Sequence, residues 1–236
     1  MKISFTIGDQ TYNVPDAVTL ELFEKATTWD INDLKQLKPF IATLTGAPLS
    51  QLNLLDEETF HIISGMCIQR IDVNGSEVLE EIEGYKLKDF NKMSFGNLID
   101  IDIYISMSVT QNISKLAAII YEADEVTTKK WNVKDVWAAI VELNKWRQAT
   151  YREYDEFFEL SNTSKDDVEA SKNSNVHLMW YEAVMVLADG DFLKVHKVVK
   201  RPYREALNFL TWKKAQVQKQ KLETLKHKND LRRRSK

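Results

Sequence analysis

The chain has 236 residues, 44% of them apolar, with seven glycines, four prolines and one cysteine; this excludes a disordered or disulfide-stapled chain and favours long helices. Its net charge of −3 conceals a division: residues 194–236 hold 15 Lys and Arg against three acids, a net of +12, and residues 1–193 hold 17 basic against 32 acidic side chains, a net of −15. Such asymmetry marks an interaction arm, or a tail that neutralises its own body.

Residues 2–7 and 11–14 alternate apolar and polar around Gly8-Asp9-Gln10, which predicts an opening β-hairpin ended by Val14-Pro15-Asp16. Thr19 can cap a helix through Thr28 with Leu20, Phe23, Leu22 and Ala26 facing inward. A second helix is expected from Asp33 to Thr45 on the stripe Leu34, Leu37, Phe40, Ile41 and Leu44, stopped by Gly46 and Pro48. A third runs from Asp56 to Arg70 and buries Phe60, Ile63 and Cys67; the thiol has no basic neighbour and reads as structural. Gly75 and Gly84 suggest turns around a short strand near Val78–Ile82.

The stretch from Ser94 to Met107 carries two patterns. Ile99, Ile101, Ile103 and Ile105 alternate as in a strand, while Phe95, Leu98, Ile99, Asp102 and Ile103 keep helical spacing behind a Ser94 cap, and helix is preferred. Leu116, Ile119 and Ile120 mark a short helix. Asn132 opens the clearest one, with Val133, Val136, Trp137, Ile140 and Val141 as its core face and a pattern that continues past Trp146 toward Phe157-Phe158. Residues 161–175 are polar and read as a solvated loop. Val176, Met179, Trp180, Ala183, Val184 and Leu187 rebuild a buried face until Gly190; Leu193, Val195, Val198 and Val199 follow. Pro202 can begin a last helix, Tyr203 to about Asn229, apolar only in its first half at Tyr203, Leu207, Phe209 and Leu210. No internal repeat is evident.

Chemical motifs are sparse. His61, His177, His196 and His227 lack ligand spacing, and no Gly-rich phosphate loop or nucleophile elbow occurs. Asp100 and Asp102 would point apart on a helix and read as exposed side chains; Asp189-Gly190-Asp191 reads as a turn with Asp191 capping the next helix. Asp166-Asp167 falls in the polar loop. No enzyme, metal or cofactor is therefore expected. The opening MKISFTIGDQ lacks the apolar run of a signal peptide, and no window approaches the ~18 apolar residues of a membrane span, so a cytosol-made protein without membrane contact is expected. The basic arm is the signal that remains: Lys213, Lys214, Lys219, Lys221, Lys226, Lys228, Arg232, Arg233 and Arg234 are its candidate partner-binding residues. Its aromatics precede the charge run, which suits an acidic protein surface better than stacked bases.

Pro39 to Pro48 (PFIATLTGAP) and residues 51–56 (QLNLLD), after the hairpin, resemble tail-assembly chaperones of bacteriophages. Residues 93–106 (MSFGNLIDIDIYIS), 113–124 (ISKLAAIIYEAD) and 191–221 are similar to segments of phage structural-module proteins, including those of crAss-like podophages. The resemblance implies a non-enzymatic virion component of the neck or tail, such as a ring beneath the portal. Its partners would be further copies of itself or portal, neck and tail proteins, in the virion and, during assembly, in the host cytoplasm. A chaperone that leaves after assembly and a nucleic-acid-binding protein using the basic helix are the alternatives. The fold expected is mainly α with a small N-terminal β-hairpin, divided into an α+β part at 1–92, a helical part at 93–202 and a basic helix at 203–236.

Overall fold

Alternating Ile3, Phe5 and Ile7 and the turn at Gly8 give the expected hairpin, in which β1 (Ile3–Ile7) pairs antiparallel with β2 (Gln10–Val14). Gly8 has a φ of +60°, a region that glycine enters without Cβ strain. The computed structural model describes residues 3–158 and 172–234; of Leu34, 172–175 and 228–234 it describes the backbone alone. The described chain is otherwise mainly helical. Its helices are α1 (Leu20–Ala26), α2 (Leu34–Thr45), α3 (Leu49–Leu52), α4 (Glu57–Ile71), α5 (Phe95–Met107), α6 (Ile113–Tyr121), α7 (Glu125–Thr128), α8 (Val133–Glu153), α9 (Asp155–Phe158), α10 (Lys172–Leu187), α11 (Val195–Val198) and α12 (Tyr203–Arg234). They divide into two compact units that interleave along the sequence, where three consecutive segments were expected: unit 1 is 1–88 with 107–144, and unit 2 is 89–106 with 145–236.

In unit 1, Thr19, Asp33, Asp56 and Asp124 each accept a backbone N–H at a helix start, and Gly46 ends α2 in the left-handed region. Phe23, Phe40, Ile41, Leu52, Ile63, Leu116, Ile120 and Trp131 make the core. Cys67 is buried among them, and burial pushes its thiol up to about 12, as befits a structural thiol. The strand expected near Val78–Ile82 shrinks to β3 (Glu81–Ile82), paired with β4 (Tyr85–Lys86) across a turn with positive φ at Glu83 and Gly84. On α8, Val133, Val136 and Ile140 are buried as expected, together with Ala139 and Leu143. Trp137 is half-buried, edge-on to Phe23 at 5.9 Å between ring centres. Val141 is 39% exposed and leaves the expected face: the stripe steps 133–136–140–143, and Val141 lies one residue, about 100°, past Ile140.

In unit 2, the helical reading of 94–107 holds, with the Ser94 hydroxyl accepting from the Asn97 N–H at 3.1 Å. Phe95, Leu98 and Ile101 are buried. Asp102, expected on the surface, is instead fully buried, while Asp100 is exposed. Of the α10 stripe, Trp180, Ala183 and Val184 are buried, and Val176, Met179 and Leu187 half-buried. The polar loop expected at 161–175 lies outside the described residues as far as 171; from Lys172 the backbone is already helical. Asp191 caps the following turn through the Leu193 N–H, as expected, but Leu193 itself is 78% exposed.

A repeat invisible in the sequence emerges from the hydrogen bonds. In unit 1 the starts of α1 and α8 are bridged at Thr19 and Asn132: Leu20 N–H donates to Trp131 O, Glu21 N–H to Lys129 O and Val133 N–H to Val18 O. In unit 2 the starts of α5 and α12 are bridged at Ser94 and Pro202 in the same register: Phe95 N–H to Arg201 O, Gly96 N–H to Val199 O and Tyr203 N–H to Met93 O. The approaches correspond as well. Ala123 N–H closes onto Ala118 O before the capping Asp124, and Gly190 N–H onto Met185 O before the capping Asp191. Side chains other than the caps share little between the copies, so no sequence period betrays them. Gly96 is where the second bridge is tightest, since a Cβ there would stand 3.1 Å from Val199 O and 3.2 Å from Val199 Cβ. Gly96→Ala should therefore destabilise by about 1–3 kcal/mol, read as a lower urea midpoint, although alanine is the better helix former.

Candidate interaction arm

The root of α12 is built by unit 2. The bridge to Met93–Gly96 satisfies its first turn, and Tyr203, Ala206, Leu207 and Leu210 form a buried stripe. Tyr203 stacks edge-on against Trp146 at 5.2 Å, and Arg204 reaches Tyr203 Oη at 3.0 Å, Asn91 Oδ1 at 3.2 Å and Glu153 at 3.6 Å. Phe209, expected inside with these residues, is 42% exposed because it lies about 100° off the Leu210 side of the helix. The Lys214 ammonium donates to Phe157 O at 3.1 Å.

Beyond Lys214 every described side chain, from Ala215 to His227, is exposed, and the helix continues to Arg234. That is a further 20 residues, about 30 Å of helix at 1.5 Å per residue. Of the nine expected partner-binding residues, Lys213, Lys219, Lys221 and Lys226 are exposed and Lys214 is half-buried at the root. Lys228, Arg232, Arg233 and Arg234 lie on the helical backbone, and their side chains fall outside the described residues. Cations at a helix C-terminus suit its dipole. Exposed Trp212 (55%), Val217, Leu222 (59%) and Leu225 do not suit a helix that ends in water. Val217 continues the seven-residue spacing Tyr203–Leu210–Val217 of the docked stripe, whereas Trp212 and Leu222 turn to other sides.

Around the root lies an apolar surface that the sequence did not suggest. A cleft of 320 Å³ is walled by Leu187, Val198, Ala206 and Phe209, with the Arg201–Glu205 ion pair (3.6 Å) at its edge. Tyr181 and Val186 on α10, and Phe192 and Leu193 after it, are also exposed. The available signal was their place in the chain: all flank the Asp189-Gly190-Asp191 turn, where the chain reverses and cannot bury both sides.

The other notable cluster of unit 2 is enclosed. Asp102 Oδ1 accepts from Arg147 Nε at 2.6 Å and from Tyr151 Oη at 2.5 Å, and Oδ2 accepts from Trp180 Nε1 at 2.7 Å. Arg147 also lies 4.5 Å over the Tyr151 ring. Burial first, then the Asp102 charge, raises the Tyr151 phenol far above its ordinary value, so it stays protonated and donates. This network joins α5, α8 and α10 and holds unit 2 together. Among the described residues no group of three or more His, Cys, Asp or Glu is placed to hold a metal, and no helix is long and apolar enough to cross a membrane. No protein-family model, curated protein or solved structure matches this chain.

Proposed function

We propose that this chain is a non-enzymatic assembly protein that grips a protein partner through the distal half of α12, as a neck or tail component of a bacteriophage virion. One observation carries the gripping role: α12 is fixed at its root by backbone bonds and then runs on with every described side chain past Lys214 exposed. Helices in proteins draw most of their stability from packing one face. A helix with Trp212, Val217, Leu222 and Leu225 exposed among lysines gains that packing from a partner offering carboxylates and an apolar groove. The phage assignment rests on the resemblance of residues 39–56, 93–124 and 191–221 to phage assembly proteins.

Truncation after Lys214 tests the reading while sparing the bond to Phe157. The shortened chain should unfold within about 0.5 kcal/mol of the full one, since every described side chain it loses is exposed. Its binding to neighbouring virion proteins should weaken by about tenfold or more, with the remaining affinity losing its salt dependence. Equal assembly by both chains would refute the role given to the arm. Mass spectrometry of purified virions separates a resident component from a departing chaperone.

A further inference from the structure

The two repeated bridges root two long helices, α8 and α12, in the same way, but the helices have different fates. α8 leaves its bridge in unit 1 and gives residues 145–153 to unit 2, where Arg147 and Tyr151 hold Asp102. α12 leaves the equivalent bridge in unit 2 and, past Lys214, every described side chain on it, from Ala215 to His227, is exposed. The chain thus contains one example of what such a helix does: it runs out of the unit that roots it and completes the next. The exposed distal half of α12 is available to do the same for another molecule.

Charge identifies which unit. Residues 203–236 carry 11 basic and three acidic side chains, a net of +8. Unit 1 carries 19 acidic and 11 basic side chains, a net of −8. Its seven-residue stretch richest in acids holds Glu77, Glu80, Glu81 and Glu83, all exposed, and Val78 and Leu79 within that stretch are exposed as well. This mixture of carboxylates and apolar side chains matches the lysines and exposed Trp212, Val217, Leu222 and Leu225 of the arm.

Resting on the protein-binding role given to α12, we propose that its partner is a second copy of this chain, with the distal half of α12 lying on the Glu77–Glu83 ledge of that copy's unit 1. The contact is heterologous, head to tail, so it repeats from copy to copy and closes into a ring or continues as a filament.

Reciprocal charge reversal in the full chain tests the contact. One variant carries Lys219→Glu, Lys221→Glu and Lys226→Glu; the other carries Glu77→Lys, Glu80→Lys and Glu81→Lys. The parent should self-associate by light scattering and fall apart as salt rises. Each variant alone should be monomeric, because the facing stretches, 215–227 of the arm and 77–83 of the ledge, then carry the same sign. Their equimolar mixture should recover the parent's mass, since every arm then meets a ledge of opposite sign, and that recovery also shows both variants folded. Assembly of either variant alone, or no recovery on mixing, overturns the proposal. A monomeric parent overturns it too, and a short DNA duplex as probe then separates two cases. If the parent ignores the duplex at physiological salt, only the second-copy partner falls, and the protein-binding role of the arm stands. If it binds the duplex tightly through the arm, with a steep salt slope, that role falls with it.

Discussion

Asp102→Ala should destabilise the protein by about 3–5 kcal/mol, the usual cost of removing one partner from a buried ion pair. The carboxylate is fully buried and accepts from Arg147, Tyr151 and Trp180. Without it, a guanidinium only 19% exposed, a phenol and an indole N–H compete for no acceptor. Asp102→Asn keeps the shape but supplies one acceptor oxygen and turns an amide NH₂ toward donors, so it should fall in the same range. Asp100 is the matched control, two residues away and open to solvent. Partial burial raises its carboxyl above the ordinary value, so its charged form is mildly disfavoured in the fold. Asp100→Asn should therefore stay within about 0.5 kcal/mol of the parent or gain slightly. Urea unfolding of the three variants decides the matter. A loss for Asp102→Asn as small as that for Asp100→Asn would mean that the network contributes nothing to stability.

Asp102 also marks the limit of what the sequence disclosed. The helical spacing Phe95–Leu98–Asp102 was visible, and so was the geometry that turns Asp100 and Asp102 to different sides of one helix. What the spacing could not supply were the partners: Arg147 lies 45 residues away and Trp180 78 residues away, and neither sits in a motif. Local signals served well elsewhere. Thr19, Ser94 and Asp191 cap where expected, because capping needs only neighbours in the chain. The phase of α8 was read one residue too wide at Val141, since two adjacent apolar pairs, Val136-Trp137 and Ile140-Val141, fit two overlapping stripes and only packing chooses between them. The naked half of α12 was legible from composition alone, its rooting was not, because bridges such as Ser94–Pro202 are made by backbone atoms that any residue carries.

Trp131→Ala should be the corresponding lesion in unit 1, at about 3–5 kcal/mol for a large aromatic removed from a filled core. Trp131 is 2% exposed, edge-on to Tyr121 at 5.5 Å and tilted against Tyr85 at 5.7 Å. Its indole N–H donates to Glu83 at 2.9 Å, and its carbonyl accepts the Leu20 N–H in the first bridge. Tyr121 completes the seat by donating to Leu79 O at 2.7 Å; burial, with the Asp135 charge adding, pushes its phenol up to about 12, so the donor persists across the working pH range. The two rings therefore hold the β3–β4 segment by packing and by one hydrogen bond each. Trp131→Phe separates these contributions, because it keeps an aromatic ring in the core while it removes the bond to Glu83 and leaves a small void. Its cost should be about 1–2 kcal/mol, as for a single hydrogen bond to a charged acceptor plus a small void. Amide exchange at Ile82 and Leu87 should accelerate strongly in the Ala variant and modestly in the Phe variant, while exchange within α2 and α4 follows global stability alone. Equal losses for Phe and Ala would instead put the hydrogen bond to Glu83, not the aromatic packing, in charge of the segment.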